Sequence, residues 1–322
     1  PYLGAALTQP EERYTKLAFS DLQDESFSKS LPAGWVAILQ HYFVSAWIPS
    51  QTESHDFFAS RLSNGDNVIG YKNASVSIDA GDQHTISQRL YVGPKGQVVL
   101  GALAENLHLV IDYGWLWWLA QPLFWLLTLI QSFVVNWGLA IIILTIFVKL
   151  AFFRLSAASY KSMAKMRTVQ PKIQSIRDQY AEDKTKQQQA MMELWKKEKI
   201  NPMGGCLPML IQMPVFIALY WVLLESVELR HAPFILWIND LSAMDPYFVL
   251  PLLMGISMYL MQRLNPAPPD PMQAKIMQYM PIAFTFLMMW FPAGLVLYWL
   301  CNNLLSFAQQ YIVTRQIEQA AR

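Results

Sequence analysis

The sequence predicts a polytopic α-helical membrane protein: a five-helix transmembrane core with a cytoplasmic helical hairpin, preceded by the C-terminal part of a periplasmic β-sandwich. Three observations predict it. Of 322 residues, 54% are hydrophobic and only 15% charged, against about 25% charged in an ordinary soluble protein. Two long runs, Tyr113–Val148 and Ile276–Thr314, hold no charged residue over 36 and 39 positions. Residues 1–106, by contrast, carry short alternating apolar runs between turn signals. The net charge of +1 gives no electrostatic reason to expect direct nucleic-acid binding.

Residues 1–106 read as all-β. Val68-Ile69, Val76 and Ile78, Ile86, and Leu90 and Val92 supply the apolar alternation. Asn64-Gly65-Asp66, Ala80-Gly81-Asp82 and Gly93-Pro94 supply the turns. Trp35–Ile48 is longer and aromatic and reads as one buried strand. The chain opens at Pro1 without Met or signal peptide, so a signal-anchor helix and the first part of the β-domain are expected upstream. His41, His55, His84 and His108 lack ligand spacing, and Cys206 and Cys301 read as packed free thiols. No metal or cofactor is expected.

The uncharged run from Tyr113 is too long for one upright span of ~20 residues. Gln121-Pro122 and Asn136-Trp137-Gly138 interrupt it. Residues 107–135 therefore read as a linker and a Trp-rich interfacial helix, since indole rings favour the headgroup region. The absence of a strongly charged face leaves a buried or tilted helix as the alternative. Residues 136–157 read as the first span. Residues 158–200 form a basic stretch, with ten Lys or Arg against five acids in Ser159–Lys199. Met163, Met166, Val169, Ile173 and Ile176, then Met191, Leu194 and Trp195, recur at helical spacing, which predicts an antiparallel helical hairpin. Further spans are expected over 201–225, 246–263, 276–291 and 294–314. A loop (226–245), a proline-rich loop (264–275) and a short tail (315–322) connect and end them. Phe291-Pro-Ala-Gly294 is the turn that splits the final uncharged run. Ile276–Trp290 covers only ~22 Å at ~1.5 Å per residue, short of the ~30 Å hydrocarbon core, so a thinned bilayer is expected beside it.

The basic hairpin and the tail Arg315 and Arg322 go to the cytoplasm by the positive-inside rule, and the loop with Arg230 alone goes outside. Five spans then place the β-domain in the periplasm of a bacterial inner membrane, with a cytoplasmic C-terminus.

Lys149 follows an otherwise apolar run, Ile141–Val148. A charge at membrane depth costs ~2.5 kcal/mol or more and usually faces protein or water. Snorkelling to the headgroups is the alternative, although Arg154 marks that interface better. Counting depth along the spans, Thr145 matches Asn302 and Asn303, and Lys149 matches Ser306 and Gln309. Gln212 lies near the cytoplasmic end of its span. These groups are expected to wet a cavity in the inner half of the bilayer; hydrogen bonding between helices is the competing explanation. The spans hold no paired Asp, no His-Glu motif and no Ser–His pair, which argues against an enzyme. Gly93-Pro-Lys-Gly lacks P-loop spacing. A transporter or channel stays as the second class, although no inverted repeat is visible.

The motifs are more specific. Asn201-Pro-Met-Gly-Gly-Cys-Leu-Pro-Met-Leu-Ile-Gln-Met-Pro-Val-Phe-Ile-Ala-Leu-Tyr220 and Trp290-Phe-Pro-Ala-Gly-Leu-Val-Leu-Tyr-Trp299 closely resemble signatures of the YidC membrane-protein insertase family. So do Ser162-Met-Ala-Lys-Met-Arg167, Gln170-Pro-Lys-Ile-Gln174, Ser226-Val-Glu-Leu-Arg230 and Asp270-Pro-Met-Gln273. The resemblance is strong over about residues 90–315 and weaker in the β-region. It implies a non-enzymatic insertase and chaperone with a hydrophilic groove open to cytoplasm and lipid. Lys149 would be the groove cation, where the family usually has arginine; lysine keeps the charge but loses the planar fork. Thr145 would be a neighbouring groove position. Phe216 and Met254 would be apolar contacts along which a nascent segment slides. Tyr298 and Trp299 stand where the family often has two tyrosines. Implied partners are nascent membrane proteins, membrane lipids, the Sec translocon, the signal-recognition pathway and the ribosome.

Overall fold

The computed structural model describes residues 2–198, 207–265 and 271–320. The chain divides into two compact units, Pro1–Trp117 with Leu224–Glu228, and Trp118–Leu223 with Leu229–Arg322.

The first unit is built on two antiparallel sheets. Strands β1 (Gly4–Leu7), β2 (Thr15–Leu17), β4 (Val36–Leu39), β5 (Phe43–Ile48) and β8 (Arg89–Pro94) make a five-stranded sheet in the order β2-β1-β4-β5-β8. Strands β3 (Phe27–Leu31), β6 (His55–Arg61) and β7 (Asn67–Lys72) make a three-stranded sheet in the order β3-β6-β7. Leu7 and Val36 from one sheet meet Leu31 and Phe57 from the other in a closed apolar core. In β6 the alternation is plain: His55, Phe57 and Ala59 are buried, and Asp56 between them is exposed. That period of two is what a strand with one face on a core requires.

Two strand expectations need correction. Trp35–Ile48 is two strands rather than one, because Gln40–Tyr42 turns back and the Gln40 amide donates to the Phe43 carbonyl at 2.9 Å. Val76, Ile78 and Ile86 belong to no strand; the segment between β7 and β8 is irregular and these side chains are about half exposed.

Helix α1 (Gln97–Leu103) follows β8. At their junction the Lys95 ammonium lies 3.5 Å from the Glu225 carboxylate, with the two side chains 1% and 0% exposed. Burial pushes the lysine below its ordinary range, and the Glu225 charge pulls it back up.

The second unit is helical. Helix α2 (Trp117–Val134) buries Ala120, Leu123, Phe124, Leu127 and Ile130 at three-to-four spacing and exposes Trp118, Trp125 and Phe133. Among the described residues, Gly114–Val134 is the helix long and apolar enough to cross a membrane by itself. The expected first span, 136–157, is interrupted: α3 (Trp137–Ala151) breaks at Phe152 and α4 (Phe153–Thr168) leaves it at 68°. Asn136 caps α3 by accepting from the Leu139 amide at 2.9 Å.

Helices α5 (Gln170–Gln179) and α6 (Lys184–Lys197) close the basic hairpin. Val169, Ile173 and Met191 are buried between them, with Met166, Ile176, Leu194 and Trp195 packed around. Asp183 starts α6 by accepting from the Lys186 amide at 3.0 Å.

The remaining helices are α7 (Leu207–Glu225), α8 (Val249–Arg263), α9 (Pro271–Met288) and α10 (Ala293–Ala320). Helix α10 packs against α3, α4 and α8, and α8 packs against α9. Helix α10 also continues to Ala320, into the expected tail. Glycines set two close approaches. A Cβ on Gly255 would lie 1.9 Å from Thr285 Oγ1, and one on Gly138 would lie 2.0 Å from the Phe234 ring. Helix α9 starts at Pro271, so its 18 residues reach ~27 Å, which weakens the argument for a thinned bilayer. Asp245 anchors the start of α8, accepting from the Trp237 indole and Tyr247 amide at 3.0 Å each and from the Leu250 amide at 2.7 Å.

Candidate hydrophilic groove

The chemistry concentrates along α10. Asn302, Asn303, Ser306, Gln310 and Thr314 repeat at three-to-four spacing and are all buried, giving α10 a buried polar stripe. In hydrocarbon such groups need partners, and α3, α4 and α8 supply them.

Lys149 occupies the last turn of α3, where helix carbonyls favour a cation. Its ammonium is turned onto α10 and donates to Ser306 Oγ at 2.6 Å. Ser306 in turn donates to the Asn302 carbonyl at 2.6 Å, and the Tyr160 hydroxyl of α4 shares a hydrogen bond with Ser306. Below the α3–α4 break, Gln309 donates to the Phe153 carbonyl in the first turn of α4 at 3.2 Å. On the α8 side, Asn303 Nδ2 donates to Ser257 Oγ at 3.1 Å, and Ser257 donates to the Met254 carbonyl at 2.6 Å. Gln310 donates to Asn265 Oδ1 at 2.8 Å.

Gln212 on α7 donates to the Tyr298 hydroxyl. One turn further along α7, the Phe216 ring meets Trp299 edge-on at 4.4 Å between centroids, and Phe284 lies on Trp299 at 5.0 Å. On α10, the buried Asn302 Oδ1 and Trp299 Nε1 lack a hydrogen-bond partner among the described residues.

Depth counting along the spans placed Lys149 beside Ser306 and Gln309. The structure brings Lys149 and Ser306 into contact and puts Gln309 on the same seam. Thr145 departs from the expected wet cavity. It is 0% exposed and bonds the Ile141 carbonyl of its own helix at 2.7 Å. Asn302, Asn303 and Ser306 are likewise buried against protein, whereas Lys149 and Gln212 stay partly exposed. Met254 and Tyr298 are both 0% exposed, so neither presents a surface in this conformation, whereas Phe216 and Trp299 are half-buried. Cys301 is a half-buried free thiol. Cys206, with the rest of Asn201–Cys206, lies outside the described residues.

Sequence reasoning missed Ser257, Tyr160 and Asn265. Ser257 had a usable signal, as a hydroxyl inside the apolar run Val249–Met261. Tyr160 and Asn265 sit in polar surroundings that gave none.

Comparison with known proteins gives a consistent set of likenesses. A model of the 60Kd inner membrane protein family matches residues 129–320, and one of the YidC periplasmic domain matches residues 1–126. The "Membrane protein insertase YidC" of Marinomonas sp. is 61% identical over all 322 residues, which cover 58% of that protein. Its namesake from Azotobacter vinelandii is 56% identical over 321 residues, again 58% of its length. The chain therefore spans somewhat more than half the length of these relatives. A crystal structure of an active YidC insertase with its first transmembrane domain resolved aligns over 95% of this chain and 79% of its own, with a TM-score of 0.55 and 22% identity. At that identity the likeness concerns the fold: a β-rich domain joined to a helical core.

Proposed function

The chain belongs to the 60Kd inner membrane protein family, with a YidC periplasmic domain ahead of its helical core, and from that premise we propose that it is the greater part of a membrane-protein insertase and chaperone. Five spans, α3 and α7 to α10, form the core, with the α5–α6 hairpin and the C-terminus in the cytoplasm and the β-domain in the periplasm. A polar or acidic external stretch of the substrate enters beside Lys149. Its hydrophobic segment partitions into lipid past Phe216 and Trp299. Burial of ~20 apolar residues drives the step, so neither nucleotide nor catalytic residue is required. Nascent membrane proteins are the substrates. The Sec translocon, signal-recognition pathway and ribosome are the partners this reading brings.

One observation carries the reading. A lone ammonium in an otherwise apolar helix is held on Ser306, beside the Asn302 and Asn303 stripe and within a partly exposed edge. A cation that served only to mark the interface would extend to the headgroups; this one is turned inward onto a polar seam. The burial of Thr145 and Asn303 means that the seam must part to admit a substrate. Insertion is then coupled to opening of α3 from α10.

Reconstitution of the whole protein into proteoliposomes tests the reading. A single-span substrate with an acidic external tail should become protected from added protease, while small solutes stay excluded. Solute uptake without insertion would favour the transporter or channel reading.

A further inference from the structure

Five residues of the β-rich unit come from far along the chain. Leu224–Glu228 belongs to that unit, and its first two residues are the last two of α7. Two places in the unit grip it. The first is the β4–β5 turn, where His41 Nε2 lies 2.9 Å from the Leu224 carbonyl oxygen. A carbonyl only accepts, so the imidazole donates and satisfies one of the open acceptors at the end of α7. The His41 ring is stacked on Tyr42 at 3.9 Å. The second is the β8–α1 junction, where Lys95 pairs with Glu225 at 3.5 Å and the Gln97 amide bonds the Glu228 carboxylate. The Lys95 amide also donates to the Tyr42 carbonyl at 2.8 Å, which joins the two places.

The ionic contact is the informative one. Apolar side chains of similar size would fill the space without removing two charges from water, so a buried ion pair is weak evidence for stability. Its best-attested role is to fix a register, because any other alignment buries an unpaired charge. Here a shift by one residue would set Leu224 or Ser226 opposite Lys95 and leave the ammonium unpaired. We propose that Lys95 and Glu225 are a registration lock: positioning residues that fix where the chain crosses the β-rich unit between α7 and α8. The proposal does not depend on the insertase reading, since it concerns where one segment is held.

Trypsin cleavage after Arg230 tests it. Arg230 is exposed and lies two residues beyond Glu228. The full chain in detergent micelles is digested and the product ending at residue 230 is followed by mass. Lys95→Met and Glu225→Gln should each accelerate this cut at least tenfold. The swap Lys95→Glu with Glu225→Lys should return it to within threefold of the starting protein. The apolar pair Lys95→Met with Glu225→Leu should stay at least tenfold fast, since it restores packing without register. Unchanged cleavage in both single variants, a swap as fast as the singles, or full resistance in the apolar pair would each overturn the lock. Should the singles fail to accumulate, the swap decides: a resistant swap supports the proposal, and a swap that also fails to accumulate overturns it.

Discussion

Replacing Lys149 by alanine separates the electrostatic role of this residue from its structural one. Structurally the loss is modest. Ser306 keeps its bonds to the Asn302 carbonyl and to Tyr160, so no hydroxyl is orphaned. The protein forfeits one hydrogen bond to a charged group, about 1.5–3 kcal/mol, and recovers part of that by no longer burying an ammonium. The effect on a substrate is specific to charge. A carboxylate held about 8 Å from the ammonium at an effective dielectric near 20 gains about 2 kcal/mol, a factor of roughly thirty in rate. The assay is the initial rate of protease protection in proteoliposomes for two substrates. One has an acidic external tail; the other has its Asp and Glu changed to Asn and Gln. Lys149→Ala should slow the acidic substrate about thirtyfold and the neutral one less than threefold, and Lys149→Arg should insert both normally. Equal slowing of the two substrates would show that the residue acts through packing and would refute the electrostatic reasoning.

Three further outcomes are expected. Gly255→Val should destabilise the α8–α9 contact by about 1–3 kcal/mol, because Thr285 can move away only by giving up its 2.7 Å bond to the Pro281 carbonyl; thermal unfolding in detergent measures it, and adding Thr285→Ala should recover part of the loss. Asp245→Ala should cost about 3 kcal/mol by the same measurement, since it strips partners from two amides and an indole. Met191→Ala should loosen the hairpin by about 2–4 kcal/mol, seen as faster proteolysis within residues 170–197 with the β-rich unit unchanged.

The parts of the fold governed by local period were legible in the sequence. The hairpin core is the set Val169, Ile173 and Met191 with its neighbours, the same residues that recur at helical spacing. The interruption at Asn136-Trp137-Gly138 marked the start of α3, and the structure shows Asn136 capping it. What failed depended on tertiary choices. The turn at Gln40–Tyr42 has neither glycine nor proline, so nothing local divided Trp35–Ile48. Val76, Ile78 and Ile86 have the composition of a strand, yet no partner strand receives them. The α3–α4 break falls at Phe152, without Pro or Gly to announce it.

The candidate site divides the same way. The rise per residue was enough to set Lys149 against Ser306 across 157 positions of chain. Burial was not readable from depth. Met254 and Thr145 face the helix packing rather than an open edge, and a helical wheel without its neighbours cannot tell the two apart. The Lys95–Glu225 pair joins residues 130 positions apart with no shared motif, so only the folded chain brings them together.

Cysteine labelling at position 149 tests the central claim most directly. In a cysteine-free background, Lys149→Cys is exposed to a membrane-impermeant maleimide from the cytoplasmic side, with and without a substrate held in mid-insertion. Water reaching the seam predicts labelling at rest and protection while the substrate occupies it. A cysteine there that never reacts, or that reacts equally with and without substrate, would contradict the account.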